Sequence, residues 1–195
     1  MAIATPFTGD RDADTLLSTS GLALLVGMLL DQQVPMEWAF RGPLELKRRL
    51  GGLDAKAIAA MSPEAVVEAF VAKPALHRYP ASMAKRVQEL CVFIVDQYGG
   101  RAENIWKGTK SGDDLLTRLL ALPGYGPQKA KIFLAILGKR LGVAPAGWEE
   151  AADVYGQPGH RSIADVDGPG AIEQVRAYKQ AMKAKAKAKT AGSAR

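Results

Sequence analysis

The residues best suited to chemistry form one run, Leu119-Leu120-Ala121-Leu122-Pro123-Gly124-Tyr125-Gly126-Pro127-Gln128-Lys129-Ala130. Two glycines one residue apart allow a very tight turn and the close approach of another chain. Pro127 suits the first position of a helix, whose opening N–H groups lack intrahelical partners and sit at the positive end of the dipole. Gly126 leaves those amides uncovered, so a phosphate can reach them. Lys129 and Lys131 add charge beside them. An ordinary αα-hairpin accounts for a bare G-x-G. The fuller L-P-G-x-G between two good helices favours a grip on a nucleic-acid backbone, a contact that positions without reading bases.

Composition narrows the remaining chemistry. Cys91 is the single cysteine of 195 residues. It excludes a disulfide within the chain, a Cys₂His₂ or Cys₄ zinc site and a self-contained four-cysteine iron–sulfur cluster. With only His77 and His160, a three-histidine metal site is excluded as well. The acids of interest after the hairpin are Glu149 and Glu150 beside Trp148, and those of Ser162-Ile163-Ala164-Asp165-Val166-Asp167-Gly168-Pro169. Glu149 and Glu150 suit a solvated helix start. Asp167 is placed to cap a helix beginning at Pro169, whereas Asp165 has no evident local role. Trp38, Trp106, Trp148, Tyr79 and Tyr155 can stack on a base, although such residues more often anchor a core or surface. Cys91 falls on an apolar helix face and reads as inert core.

The net charge of +6 is unevenly spread. Residues 1–100 carry −1, 101–142 carry +5, 143–181 carry −3 and 182–195 carry +5. Half of the surplus positive charge thus surrounds the hairpin. The rest lies in an alternating Ala-Lys tail, read as a solvated helix end or a nonspecific attractor of phosphate. Residues 1–14 lack the basic-then-apolar order of a signal peptide, and the uncharged stretch 21–30 is too short to cross a bilayer. A soluble cytoplasmic protein is expected, with no membrane partner and held near the nucleoid through DNA.

The elements that must position the hairpin read as helices. Apolar spacing predicts one helix from Leu16 to Asp31 and another from Leu44 to Leu50, stopped by Gly51-Gly52. Ser62-Pro63-Glu64 opens Ala65 to Val71. Val87, Leu90, Cys91, Ile94 and Val95 mark a buried face closed by Gly99-Gly100. Ser111, Asp113 and Asp114 cap the helix that enters the hairpin, and Pro127 begins the one that leaves it. A short helix near Trp148 and a last one from Pro169 follow. No alternating strand pattern is present, so the fold class is all-α.

The L-P-G-x-G hairpin at 111–142 is similar to that of the helix–hairpin–helix (HhH-GPD) DNA glycosylase superfamily. Leu25 to Pro35, L-V-G-M-L-L-D-Q-Q-V-P, resembles the superfamily's first core helix ending in L-L-S-x-Q-x-T/S, with Asp31 and Pro35 at its serine and threonine positions. The likeness implies one two-lobed helical domain over 1–182 and a disordered tail over 183–195. It implies a monomer that binds double-stranded DNA containing a damaged or mismatched base, flips that base out and hydrolyses its N-glycosidic bond. Gln33 matches the glutamine that fills the gap left by the base. Gly124, Tyr125, Gly126, Gln128, Lys129 and Lys131 would hold DNA, and His77, Arg78 and Tyr79 would border the pocket. Members that also cut the strand carry a lysine at the position of Gln128, which cannot form a Schiff base. Lys129 lies one helical step, about 100°, away. The expected enzyme is therefore monofunctional, with either Asp165 or Asp167 at the place of the catalytic aspartate, each one residue out of register. No cofactor is required and no iron–sulfur cluster is expected. The carbonyls of Leu120, Leu122 and Tyr125 would hold a monovalent cation, Na⁺ or K⁺.

Overall fold

The computed structural model describes residues 5–192, with side chains over 5–185. Its first two helices are α1 (Arg11–Thr19) and α2 (Gly21–Leu30), where periodicity alone predicts one. They meet at a bend of 115°. The break is local chemistry. Ser20 is extended and its side chain accepts the Ala23 N–H, capping α2. The Gly21 N–H donates to the Glu103 carboxylate at 2.9 Å, and a Cβ at Gly21 would lie 2.6 Å from the Trp106 ring. Only glycine admits that indole.

The chain continues through α3 (Met36–Leu50), α4 (Ala55–Ala60), α5 (Pro63–Val71) and α6 (Pro80–Tyr98). Gly51 and Gly99 end α3 and α6 in the left-handed conformation, and Ser62 caps α5. Then come α7 (Gly112–Leu120), capped by Ser111, and α8 (Pro127–Leu141). A short α9 (Trp148–Ala151) and α10 (Ala171–Gly192) complete the order, with 3₁₀ turns at 102–105, 153–155 and 163–165. Among the described residues there is no strand, and the fold is all-α.

Two expectations about the C-terminal part are corrected. α10 starts at Ala171, after Gly170 at φ +84°, so Asp167 lies four residues ahead of it and does not cap it. The Ala-Lys run, expected to be disordered over 183–195, continues α10 as far as Gly192, and residues 193–195 lie outside the described residues. Alanine and lysine are both strong helix formers, and propagating an existing helix is far easier than nucleating one.

All ten residues of α2 are buried, as befits a helix that is apolar on every side. It packs on α1, α3, α6, α8 and the 102–105 turn. α4 and α5 rest on α6, while α7, α9 and the 163–165 turn rest on α8. Two helix groups thus meet across α2, and whatever docks on its C-terminal end lies where they join. Among the described residues, no single helix is long and apolar enough to cross a membrane.

Candidate active site

The hairpin is built onto the end of α2. The Tyr125 N–H donates to the Leu122 carbonyl at 3.1 Å, closing a turn in which Gly124 has φ +79°. A Cβ on Gly124 would lie 2.5 Å from Leu29 Cδ1. The Tyr125 hydroxyl donates to the Leu25 carbonyl at 2.8 Å, and its ring meets Phe133 edge-on, with centroids 5.9 Å apart. Lys129 Nζ donates to the Leu29 carbonyl at 2.6 Å. The Tyr125 side chain is therefore core, and only its backbone is left for a phosphate. Lys131 is paired with Asp153 at 2.9 Å, and Gln128 is exposed. The amide N–H groups of Gly126, Gln128 and Lys129 donate to nothing among the described residues. Those amides, more than the lysine charges, are what the hairpin offers an anion.

The turn between α2 and α3 faces the same region. Gln33 holds a left-handed conformation, φ +57°, uncommon for a residue with a Cβ. Its neighbours fix it. His77 Nε2 lies 3.0 Å from the Gln32 carbonyl, and the Tyr79 N–H donates to His77 Nδ1 at 3.0 Å. With Nδ1 accepting, Nε2 carries the proton and donates to Gln32. The Tyr79 hydroxyl donates to Gln33 Oε1 at 3.3 Å, and the Arg78 guanidinium lies 5.5 Å from the Tyr79 ring centre. The structure thus brings Gln33 and the His77-Arg78-Tyr79 cluster together.

His77 is 1% exposed, and burial holds its imidazole below the ordinary value, with the Lys129 charge adding to the effect. The unfolded imidazole takes up a proton near pH 6.5, whereas the folded one does so only at lower pH. Its contribution to stability is present above the unfolded value and is lost as pH falls through the folded one. Urea midpoints are expected to fall between pH 7.5 and 5, with a shallower slope in His77→Asn.

Beside Gln33 lies a cleft of about 450 Å³, lined by Asp31, Gln33 and Met36 on one wall and by Arg176, Lys179 and Lys183 of α10 on the other. Arg176 is paired with Glu37, and Lys179 Nζ approaches Met36 Sδ at 3.2 Å. The Asp31 carboxylate accepts no hydrogen bond recorded among the described residues and enters none of their ion pairs. Burial raises its pKa, opposed by the charges of Lys179 and Lys129. Burial pushes Lys129 down to about 8, an effect that Asp31 partly offsets. A larger apolar groove of about 740 Å³ between Met61, Val92 and Pro123 includes neither Asp31 nor Gln33 in its lining.

The two acids nominated from sequence stand elsewhere. Asp165 has a local role after all. Its Oδ2 accepts the N–H groups of Arg161 (2.8 Å) and Ser162 (3.0 Å), closing a capping box on the 163–165 turn. Its Oδ1 accepts from Lys139 Nζ at 2.6 Å. Asp167 is exposed, and neither acid lines the cleft beside Gln33.

Arg176 and Lys179 reach the cleft from more than 140 residues beyond α2 and carry no local sequence signal of it. Asp31 was visible as an acid closing an otherwise apolar helix beside two glutamines. No curated protein and no solved structure matches the chain. The family model for HhH-GPD superfamily base excision DNA repair proteins matches residues 26–193. That span takes in α2, the hairpin docked on it and the helix that closes the cleft, and the chain belongs to this superfamily.

Proposed function

We propose that the protein is a monofunctional DNA glycosylase, which hydrolyses the N-glycosidic bond of a damaged or mismatched base extruded from double-stranded DNA. The observation that carries this reading is the docking of the hairpin on the end of α2. It gathers the free amides of Gly126, Gln128 and Lys129, with Gln33, Tyr79 and the adjoining cleft, at the end of one helix. Hairpin amides would hold a phosphate, Gln33 would enter the space the base leaves, and the cleft would receive the nucleotide. The Leu120 and Tyr125 carbonyls accept no hydrogen bond recorded among the described residues. They suit a monovalent cation bridging to phosphate, with Leu122 as a third donor. Absence of strand cleavage follows from Gln128 at the position of the family's lysine.

The test is a panel of duplexes carrying uracil, an oxidised purine, an alkylated purine or mispaired adenine. Free base is measured by mass spectrometry and strand breaks before and after alkali. Base release with strands intact until alkali is the expected result. Strand cleavage without alkali, trapped by borohydride, would overturn the monofunctional assignment and direct attention to Lys129. One observation favours a second reading, a noncatalytic DNA-binding protein: both oxygens of Asp165 are committed to structure. Tight binding across the panel without release of any base would establish it.

A further inference from the structure

The reaction proposed above builds positive charge on the sugar as the base departs, and an anion beside C1′ stabilises that charge. The carboxylate that meets this requirement must be open to the cleft and unspent. Asp165 is neither: its side chain is 5% exposed, and its two oxygens accept from Lys139, Arg161 and Ser162. Asp167 is open but does not line the cleft. Asp31 lines it, two residues from Gln33, and its carboxylate is without a hydrogen-bond donor or ion-pair partner among the described residues. Charged groups face it from each neighbouring element: Lys129 from α8, Lys179 from α10 and Glu37 from α3. Arg86 of α6 acts in turn on Lys129. The two lysines balance the carboxylate without quenching it in a contact pair.

We propose that Asp31, from the end of α2, is the catalytic carboxylate that meets the sugar of the extruded nucleotide. This inference rests on the glycosylase reading and gives its acid a different source from the segment after the hairpin. In the step, the C1′–N bond breaks and its electron pair leaves with the base, which takes a proton from solvent. A water molecule adds its oxygen to C1′ and yields its proton to Asp31, which returns it to solvent. Burial already disfavours the charged form of Asp31, so a neutral substitute at 31 is compatible with the fold.

The test requires no knowledge of the excised base. Full-length wild type, Asp31→Asn, Asp31→Ser and Asp167→Asn are titrated with two duplexes. One carries a cationic pyrrolidine abasic analogue and the other a neutral tetrahydrofuran analogue of the same shape. Wild type is expected to prefer the cation by about tenfold to a hundredfold, the range of a charge-assisted contact. Both Asp31 variants lose the preference while still binding the neutral duplex, and Asp167→Asn retains it. Survival of the preference in either folded Asp31 variant overturns the assignment, as does its loss in Asp167→Asn. Equal binding of the two duplexes by wild type also overturns it, while leaving DNA binding intact. Failure of wild type to bind either duplex overturns the glycosylase reading together with it.

Discussion

Asp165→Asn is expected to cost about 3 kcal/mol of folding stability, the lower end of what removing one partner from a buried ion pair costs. The carboxylate closes the capping box of the 163–165 turn and receives Lys139, whose side chain is only 15% exposed. An asparagine oxygen in the place of Oδ2 can still accept the N–H groups of Arg161 and Ser162. Its amide NH₂ then faces the ammonium, two donors with no acceptor between them, and the lysine charge is left half-buried. Lys139→Met is expected to cost less, because the freed carboxylate keeps the N–H groups of Arg161 and Ser162. Urea denaturation of the two variants at neutral pH gives both numbers. A low midpoint for Asp165→Asn attributes any accompanying loss of activity to unfolding. A native midpoint with base release abolished would return Asp165 to the chemistry.

The hairpin glycines are expected to separate stability from binding. Gly124→Ala forces a residue with a Cβ to φ +79°, which costs about 1–2 kcal/mol. It also drives that Cβ to within 2.5 Å of Leu29, a fully buried side chain with little room to yield, and such overpacking adds about 1–3 kcal/mol. Thermal unfolding should therefore show a substantial loss, with DNA affinity falling as the hairpin lifts from α2. Gly126→Ala behaves differently. Its φ of −81° suits any residue, and a Cβ there meets nothing within 4 Å. Its melting temperature should remain near that of wild type. The added methyl takes up open space at the head of α8, where a phosphate would approach, and affinity for an undamaged duplex is expected to drop about tenfold, the worth of one charge-assisted contact. Equal affinity in Gly126→Ala and wild type would show that phosphate is held elsewhere.

Much of the architecture was legible from punctuation. Ser62-Pro63, Ser111 and Pro127 each start a helix as expected, because a cap or a proline acts on the residues beside it. Where punctuation was misread, a competing local effect prevailed. Ser20 caps α2 inside what looked like one apolar helix, and Gly170 delays α10 past Pro169. The site was legible in part. Gln33 touches Tyr79, but none of His77, Arg78 and Tyr79 lines the cleft and His77 is core; the amides of Gly126, Gln128 and Lys129 donate to nothing among the described residues. Of the residues expected to hold DNA, the Tyr125 side chain is core, while Lys131 stays at the surface with its ammonium paired to Asp153.

By itself, the sequence determined an all-helical chain with one cysteine and a glycine-turned hairpin that runs into Pro127 and Gln128. These are properties of composition and short spacing, decided within a few residues. Only the tertiary structure decided which acid is free. Asp165 and Asp31 look alike along the chain, yet the first is clamped by a lysine 26 residues away and two backbone amides. The second opens into a cleft whose far wall is α10. A carboxylate's chemistry is set by the donors, charges and water around it, and here those neighbours come from helices far apart in sequence.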